Sequence, residues 1–392
     1  MRMEMQLKEN FSKKTEPANH IYKSPINLPK TGHELITCHY PLRLDTYSGC
    51  IHNCIYCYAK NLLEPRGYWR NIRSADPTYI EYLLEKYIDD GFDGAIGDTI
   101  RERVPFRLGG LTDCFQAKEK EQKITKRIIE TLNHYDYPYL IVTKSPLISE
   151  YVGIMDERLA VIQITITTLR EELAKLIEPN AYSPQRRLNA LRDLSETGYF
   201  VTARFSPIIP NVNLEERENL MEAYSSAGAK HVLVEFFRGN KEMIENIEKI
   251  VKINLISNYV KDGYYYRFEL KNKLSMYRDL KILANNLGMS FSICTDGDPV
   301  PFQLNDTKNC CGTDHIKKFK GIERVASNLF QEAKLKGKVA LRDMEKYWTP
   351  VPKIFESAWF RGEFERFIFG LKWDGYCYKL SYPQNFKDKR RS

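Results

Sequence analysis

Three cysteines stand at the spacing C-x3-C-x2-C in Gly49-Cys50-Ile51-His52-Asn53-Cys54-Ile55-Tyr56-Cys57, and Tyr58-Ala59-Lys60-Asn61 follows at once. Thiolates are soft ligands suited to iron–sulfur clusters or zinc, and so short a loop can wrap three of them around one corner of a cubane. Structural zinc or a self-contained cubane wants a fourth ligand nearby. The next cysteine is Cys114, and the nearest upstream is Cys38. Three ligands on a four-iron cluster leave one iron open, which is what a catalytic centre needs.

The elements that must carry this loop read as alternating strands and helices. Leu35 to Thr46 mixes β-branched and apolar residues and predicts a strand that delivers the cysteines at its C-terminal end. A helix is expected over Asn53 to Leu63, broken by Pro65-Arg66-Gly67. Tyr79 to Tyr87 predicts a helix, Val104 to Leu111 a strand, and Lys118 to Leu132 one amphipathic helix. Strands follow at Tyr139 to Thr143, Ala160 to Thr167, Phe200 to Phe205 and His231 to Phe236, with helices at Pro184 to Thr197 and Leu214 to Ser226. Short strands alternating with longer helices imply parallel βα units, six strands from Leu35 to Phe237. The count suits a partial barrel and also allows an open doubly wound sheet.

Functional residues of such sheets gather where strands end and loops begin. Gly109-Gly110 ends the second strand, where the missing Cβ lets a ligand approach backbone. Lys144 closes the third strand and can pair with a carboxylate. Thr165 and Thr167 alternate at the end of the fourth, so their hydroxyls share a face, although β-branched residues also simply suit strands.

The cysteine loop resembles the signature of the radical S-adenosylmethionine (SAM) enzymes. The resemblance implies that Cys50, Cys54 and Cys57 hold a [4Fe–4S] cluster whose open iron chelates the amino and carboxylate groups of SAM. One electron then splits the sulfonium to methionine and a 5′-deoxyadenosyl radical, which takes a hydrogen atom from substrate. Tyr56 matches the family's usual aromatic before the last cysteine. A partial (β/α)6 barrel and an electron donor such as flavodoxin or ferredoxin are implied as well. Gly109-Gly110 resembles the family's glycine pair that receives SAM's amino group, with Leu111 where glutamate is usual. Lys144, Thr165 and Thr167 would complete the SAM contacts.

Strand-end motifs narrow the resemblance. Val142-Thr143-Lys144, Thr165-Ile166-Thr167-Thr168, Glu178-Pro179 with Arg187-Leu188, and Ser206-Pro207-Ile208-Ile209-Pro210 come in the order of spore photoproduct lyase and its DNA repair photolyase-like relatives. That implies an enzyme acting on nucleic acid, DNA or RNA, by lesion reversal or base modification. The lyase's hydrogen-donating cysteine, aligned on Asp113, falls at Gly110 here. Cys114 lies four residues beyond and is either a displaced donor or a small buried residue. Two other functions fit: radical modification of a peptide or small metabolite with an auxiliary cluster, and a non-catalytic iron–sulfur protein that binds nucleic acid.

Past the alternating region, Gly239 to Asn258 and Lys271 to Leu287 read as helices and Met289 to Ile293 as a strand. Cys294, Cys310 and Cys311 then sit in loops rich in glycine and aspartate. With His315 or Cys377 they are candidates for a second iron–sulfur cluster or a zinc. The expected division is an N-terminal arm over 1–34, the barrel over 35–288 and a cysteine-containing, basic and mostly helical appendage over 289–392.

The chain of 392 residues has room for about two domains. Its 43% hydrophobic and 28% charged residues are those of an ordinary globular protein. No apolar run reaches the ~18 residues of a membrane span, and Met1 to Thr15 shows no secretory pattern. Nine cysteines with an apparent oxygen-sensitive cluster point to the reducing cytoplasm. From Lys317 to Ser392 there are 18 Lys and Arg against 9 Asp and Glu, so the net +8 of the chain arises in this segment. Trp348, Trp359 and Trp373 lie there too, and Phe355, Trp359, Phe360, Phe364 and Phe367 alternate with Lys353, Arg361 and Arg366 at near-helical spacing. Such a stripe either packs as a helix or joins base stacking to phosphate neutralisation.

Overall fold

Seven parallel strands cross one sheet in chain order: β1 (Arg43–Leu44), β2 (Phe106–Leu108), β3 (Tyr139–Thr143), β4 (Ala160–Thr165), β5 (Phe200–Ile208), β6 (His231–Phe236) and β7 (Ser290–Ile293). The computed structural model describes residues 21–22, 26–27, 38, 40, 42–67, 69, 71–92, 97–262, 265–294, 303–319, 336–340, 371–373 and 377–380. Ile26–Asn27 adds a short antiparallel strand outside β1. The order never reverses, so every right-handed crossover steps the same way and lays its helix on one face. A doubly wound sheet reverses its order and covers both faces, so the partial barrel is the observed alternative. Its edges, β7 and Ile26–Asn27, are not joined, and the sheet stays open.

Side-chain alternation sorts the faces. Tyr139 and Ile141, Ala160, Ile162 and Ile164, Val201, Ala203 and Phe205, and Val232 and Val234 all enter the main apolar core with the helices. The residues between them, including Arg107, Leu140, Val142, Gln163, Thr202, Arg204, Leu233 and Glu235, belong to the concave face. Helices α1 (Tyr58–Leu63), α2 (Pro77–Leu84), α3 (Ile124–His134), α4 (Glu171–Ile177), α5 (Pro184–Glu196), α6 (Arg217–Ser226), α7 (Lys241–Val251) and α8 (Leu270–Asn286) connect the strands. In α5 the Ser183 hydroxyl accepts from the Arg186 N–H, Pro184 supplies the first turn, and Leu188, Leu191 and Leu194 form its buried row.

Several elements differ from the expectations. Of the strand predicted over Leu35 to Thr46, the described residues pair only at Arg43–Leu44. Helix α1 starts at Tyr58 rather than Asn53, because the cysteine loop is bound to other loops and Asn53 adopts a positive φ of 51°. The helix expected over Lys118 to Leu132 breaks at Lys123. The cause is Glu119, whose buried carboxylate accepts from the N–H groups of Thr125 (2.9 Å) and Lys126 (3.0 Å) and so starts α3 afresh. The Tyr47 and Tyr151 hydroxyls donate to the same carboxylate, at 2.5 and 2.6 Å. Helix α4 forms where no element is expected. The helix expected up to Asn258 ends at Val251, and Tyr259–Asp262 pairs with Tyr265–Phe268 as a hairpin. Ser290–Ile293 is a seventh strand of the sheet, beside β6.

Of the basic C-terminal segment, Lys338–Ala340, Leu371–Trp373 and Cys377–Leu380 form a small antiparallel sheet. The aromatic and basic stripe from Val351 to Phe369 lies outside the described residues, as do the N-terminal arm up to residue 20 and the Lys387 to Arg391 tail. Among the described residues no helix is long and apolar enough to cross a membrane.

Candidate cluster and cofactor site

The cysteine loop sits where β1, β2 and β4 hand over to their loops, and its backbone is tied down from two sides. Gln116, fully buried after β2, accepts from the Ile51 N–H (3.1 Å) and donates to the Gly49 carbonyl (2.8 Å). On the other side, past α4, the Asn180 side chain donates to the Ile51 carbonyl (3.0 Å) and its N–H to the His52 carbonyl (3.2 Å). The Ile55 N–H donates to the Ile177 carbonyl at 3.0 Å. Cys54 is buried, while Cys50 and Cys57 are half-buried. Their charges act on one another, and burial pushes all three thiols up, that of Cys54 to about 12. A metal would therefore displace protons on binding.

Among the described residues no three His, Cys, Asp or Glu side chains are arranged to hold a single metal ion. Zinc draws its sulfurs to ~2.3 Å from one point, whereas a cubane gives each cysteine its own iron. Three soft donors in one loop tied down from both sides suit a cluster, in which each thiolate takes its own iron.

Of the expected cofactor residues, Gly110 and Lys144 touch this loop or the helix that follows it. Gly109 has φ +82°, and a Cβ there would stand 2.2 Å from the Val142 carbonyl oxygen, so only glycine fits. The Gly110 carbonyl accepts from the Tyr58 hydroxyl at 2.6 Å. Lys144 directs its ammonium over the Tyr56 ring, 5.7 Å from the centroid, and its charge pulls the Cys54 and Cys57 thiols down. Thr165 ends β4 on the concave face, in register with Arg204. The Thr167 hydroxyl is engaged elsewhere, donating to Glu178 at 3.0 Å.

Two buried acids organise the surroundings. The Tyr56 hydroxyl donates to Glu178, and Arg187 pairs with the same carboxylate at 2.5 Å, both ionic side chains being almost wholly buried. Burial pushes the Glu178 carboxyl up, but Arg187 and Lys144 outweigh it and hold the group below its ordinary value. Asp113 accepts from the Thr143 hydroxyl (2.7 Å) and the Lys144 N–H (2.8 Å), and lies 3.5 Å from His52 Nδ1. Burial lowers the His52 pKa against the pull of Asp113. In the sequence Glu178, Arg187 and Asp113 stand only as motif markers. Their roles depend on contacts across the sheet that no local pattern announces. Cys114 is fully buried and feels the charges of Glu119, Asp45 and Asp113.

The second cysteine group lies on the concave face. Cys294, Cys310 and Cys311 share a buried cluster with Cys38, Tyr40, Leu140, Val161, Leu233 and Phe319. His315 is exposed, with its ring against Phe200. The Cys377 side chain lies outside the described residues. The absence of a single-ion site among the described residues leaves the zinc considered for this group without support.

The model of the Radical SAM superfamily matches residues 44–224. An uncharacterized protein of Acidianus two-tailed virus is 27% identical over 211 residues, 52% of this chain and 69% of the relative. An uncharacterized protein of Methanocaldococcus jannaschii is 26% identical over 43% of this chain and 61% of its own length, so the chain spans less than two thirds of that relative. Among solved structures, a spore photoproduct lyase variant with bound AdoMet and dinucleoside spore photoproduct has a TM-score of 0.51 at 17% identity, covering 73% of this chain and 93% of that one. The superfamily match supports an enzyme and implies a [4Fe–4S] cluster and SAM. From residue 44 to residue 224 the chain matches the radical SAM superfamily, and it carries that sequence on the fold of spore photoproduct lyase.

Proposed function

We propose that the chain is a radical SAM enzyme acting on nucleic acid, by lesion reversal like that of spore photoproduct lyase or by modification of a base. The observation that carries the reading is the pinned cysteine loop, with Lys144 above Tyr56 at its side and a glycine at position 109 that nothing larger can replace. Cys50, Cys54 and Cys57 hold the cluster, which when bound supplies the electron for reductive cleavage of SAM. Gln116 and Asn180 keep the three thiols in place before the metal arrives, so binding orders little new chain. Lys144 binds the SAM carboxylate, and the turn at Gly109 and Gly110 takes its amino group. Thr165, at the end of β4, is assigned to SAM with them, while Thr167 acts through Glu178 and the Tyr56 hydroxyl, orienting the aromatic ring beside the last cysteine. No hydrogen donor is assigned, since Cys114 is fully enclosed.

Support for nucleic acid comes from the shared fold and from the basic C-terminal segment. The buried group of Cys294, Cys310 and Cys311 favours a second reading, peptide or metabolite modification with an auxiliary cluster. The test is anaerobic incubation of reconstituted protein with SAM, dithionite and DNA, RNA or peptide. Release of 5′-deoxyadenosine with a mass change in DNA or RNA is expected, and a mass change in peptide alone would replace the substrate assignment. Cys50→Ala, Cys54→Ala and Cys57→Ala should each abolish SAM cleavage, because each removes a ligand of the open-iron cluster. Persistent cleavage in any of the three would refute the assignment.

A further inference from the structure

Cys50 and Cys57 are half-buried, and both pack against a small apolar cluster that stands apart from the main core: Ala59, Leu63, Trp69 and Leu111. Three pieces of chain contribute to it. Ala59 and Leu63, four residues apart, are the buried face of α1. That helix runs into the turn Glu64–Arg66, which Gly67 closes at φ +75° with its N–H on the Glu64 carbonyl at 3.0 Å. The left-handed residue turns the chain out of the helix. Trp69 follows it, 6% exposed, and enters the same cluster as the face of α1. Leu111 comes from the turn after β2, where its N–H donates to the Asp45 carboxylate at 3.0 Å.

The contact that these side chains share outside their own cluster is with two cysteines of the signature loop. None of the four carries a charge. Leu111 stands where the glycine pair that Gly109-Gly110 resembles is usually followed by glutamate, so this chain places apolar surface there instead of a carboxylate. An apolar shell around a metal centre controls how much water reaches it and how low the local dielectric is, and both act on its potential. Reduction makes a thiolate-held iron–sulfur cluster more negative. Water favours the more charged form, so a dry shell lowers the potential. Transfer of an electron to a sulfonium calls for a strongly reducing cluster.

We propose that Trp69, backed by Leu63 and Leu111, is a wall that keeps water from the iron–sulfur cluster on its Cys50 and Cys57 side, which rests on those cysteines and Cys54 holding the cluster assigned above. Trp69 is a positioning residue and not a ligand. It touches the cysteines, holds the potential low and slows the loss of iron.

The test uses full-length protein reconstituted anaerobically, with SAM in excess so that water does not occupy the open iron, and it reads the reduced cluster rather than turnover. In D2O, deuterium modulation of the electron spin echo reports water close to the irons. Trp69→Ala should strengthen that modulation, raise the midpoint potential and release iron to a chelator several-fold faster. Trp69→Phe keeps a ring in the wall and should stay near wild type in all three. A purely structural role would lower the melting temperature of Trp69→Ala and leave the modulation and the potential where they were, and that result would overturn the proposal. A wild-type cluster already as wet as one open to solvent would overturn it too, and this measurement decides even if Trp69→Ala does not fold. Wild-type protein that takes up no iron would refute the cluster and the wall together, whereas a loaded but wet cluster refutes the wall alone.

Discussion

Lys144 and Glu178 show how single residues shape the cysteine loop. Lys144 is half-buried beside Tyr56, and its charge reaches the thiols of Cys54 and Cys57. If it binds the SAM carboxylate, Lys144→Ala should weaken SAM by about 1.5–3 kcal/mol with iron content unchanged. Calorimetry showing equal affinity would remove Lys144 from the site. Glu178 has a structural part, because it pairs with buried Arg187 and receives Tyr56 and Thr167. Glu178→Gln leaves the guanidinium uncompensated and should cost about 3–5 kcal/mol at neutral pH. The Glu178 pKa lies below its ordinary value, so the stabilisation is present above the ordinary carboxylate range and is lost as pH falls through the folded-state pKa. The difference between wild type and variant should therefore shrink on acidification to about pH 3. Denaturant titrations at the two pH values giving an equal difference would show that the ion pair is not its source.

At the scale of elements, the turn after β2 is a tight fit. Gly109 and Gly153 both have positive φ, +82° and +83°, but only at Gly109 would a Cβ meet backbone, at 2.2 Å from the Val142 oxygen. Gly153→Ala should carry only the left-handed strain of about 1–2 kcal/mol. Gly109→Ala adds a clash with the end of β3 and should cost distinctly more, above about 3 kcal/mol. Thermal melts that rank the two equally would mean the β2 turn can open without penalty.

For the molecule as a whole, the charge surplus from Lys317 to Ser392 is the feature that bears on partners. If this segment neutralises phosphates, binding to DNA or RNA should weaken steeply with salt. Arg361→Glu with Arg366→Glu should lower both the affinity and the salt slope while leaving SAM cleavage without substrate intact. The reversals change the field and keep Phe360, Phe364 and Phe367 in place. Equal oligonucleotide affinity of wild type and variant at low salt would favour the peptide or metabolite reading.

Local chemistry was legible in the chain itself. The spacing of Cys50, Cys54 and Cys57 depends on nothing outside one loop, and the periods of β3, α5 and β6 are set by burial on one side of each element, so their limits are nearly as expected. What depends on distant partners was not legible. The winding of the sheet is a matter of strand order, which apolar periodicity does not encode. Helix α3 begins at residue 124 because the Glu119 carboxylate reaches its first amides while held by Tyr47 and Tyr151, residues far apart in the chain. Cys38 stood twelve residues before the signature with no sign of its neighbours. Only closure of the concave face, with the loop after β7 returning to the segment before β1, brings it to Cys294, Cys310 and Cys311. Sequence spacing relates residues on one loop, whereas residues that flank the first and last strands of a sheet meet only once the sheet has curled.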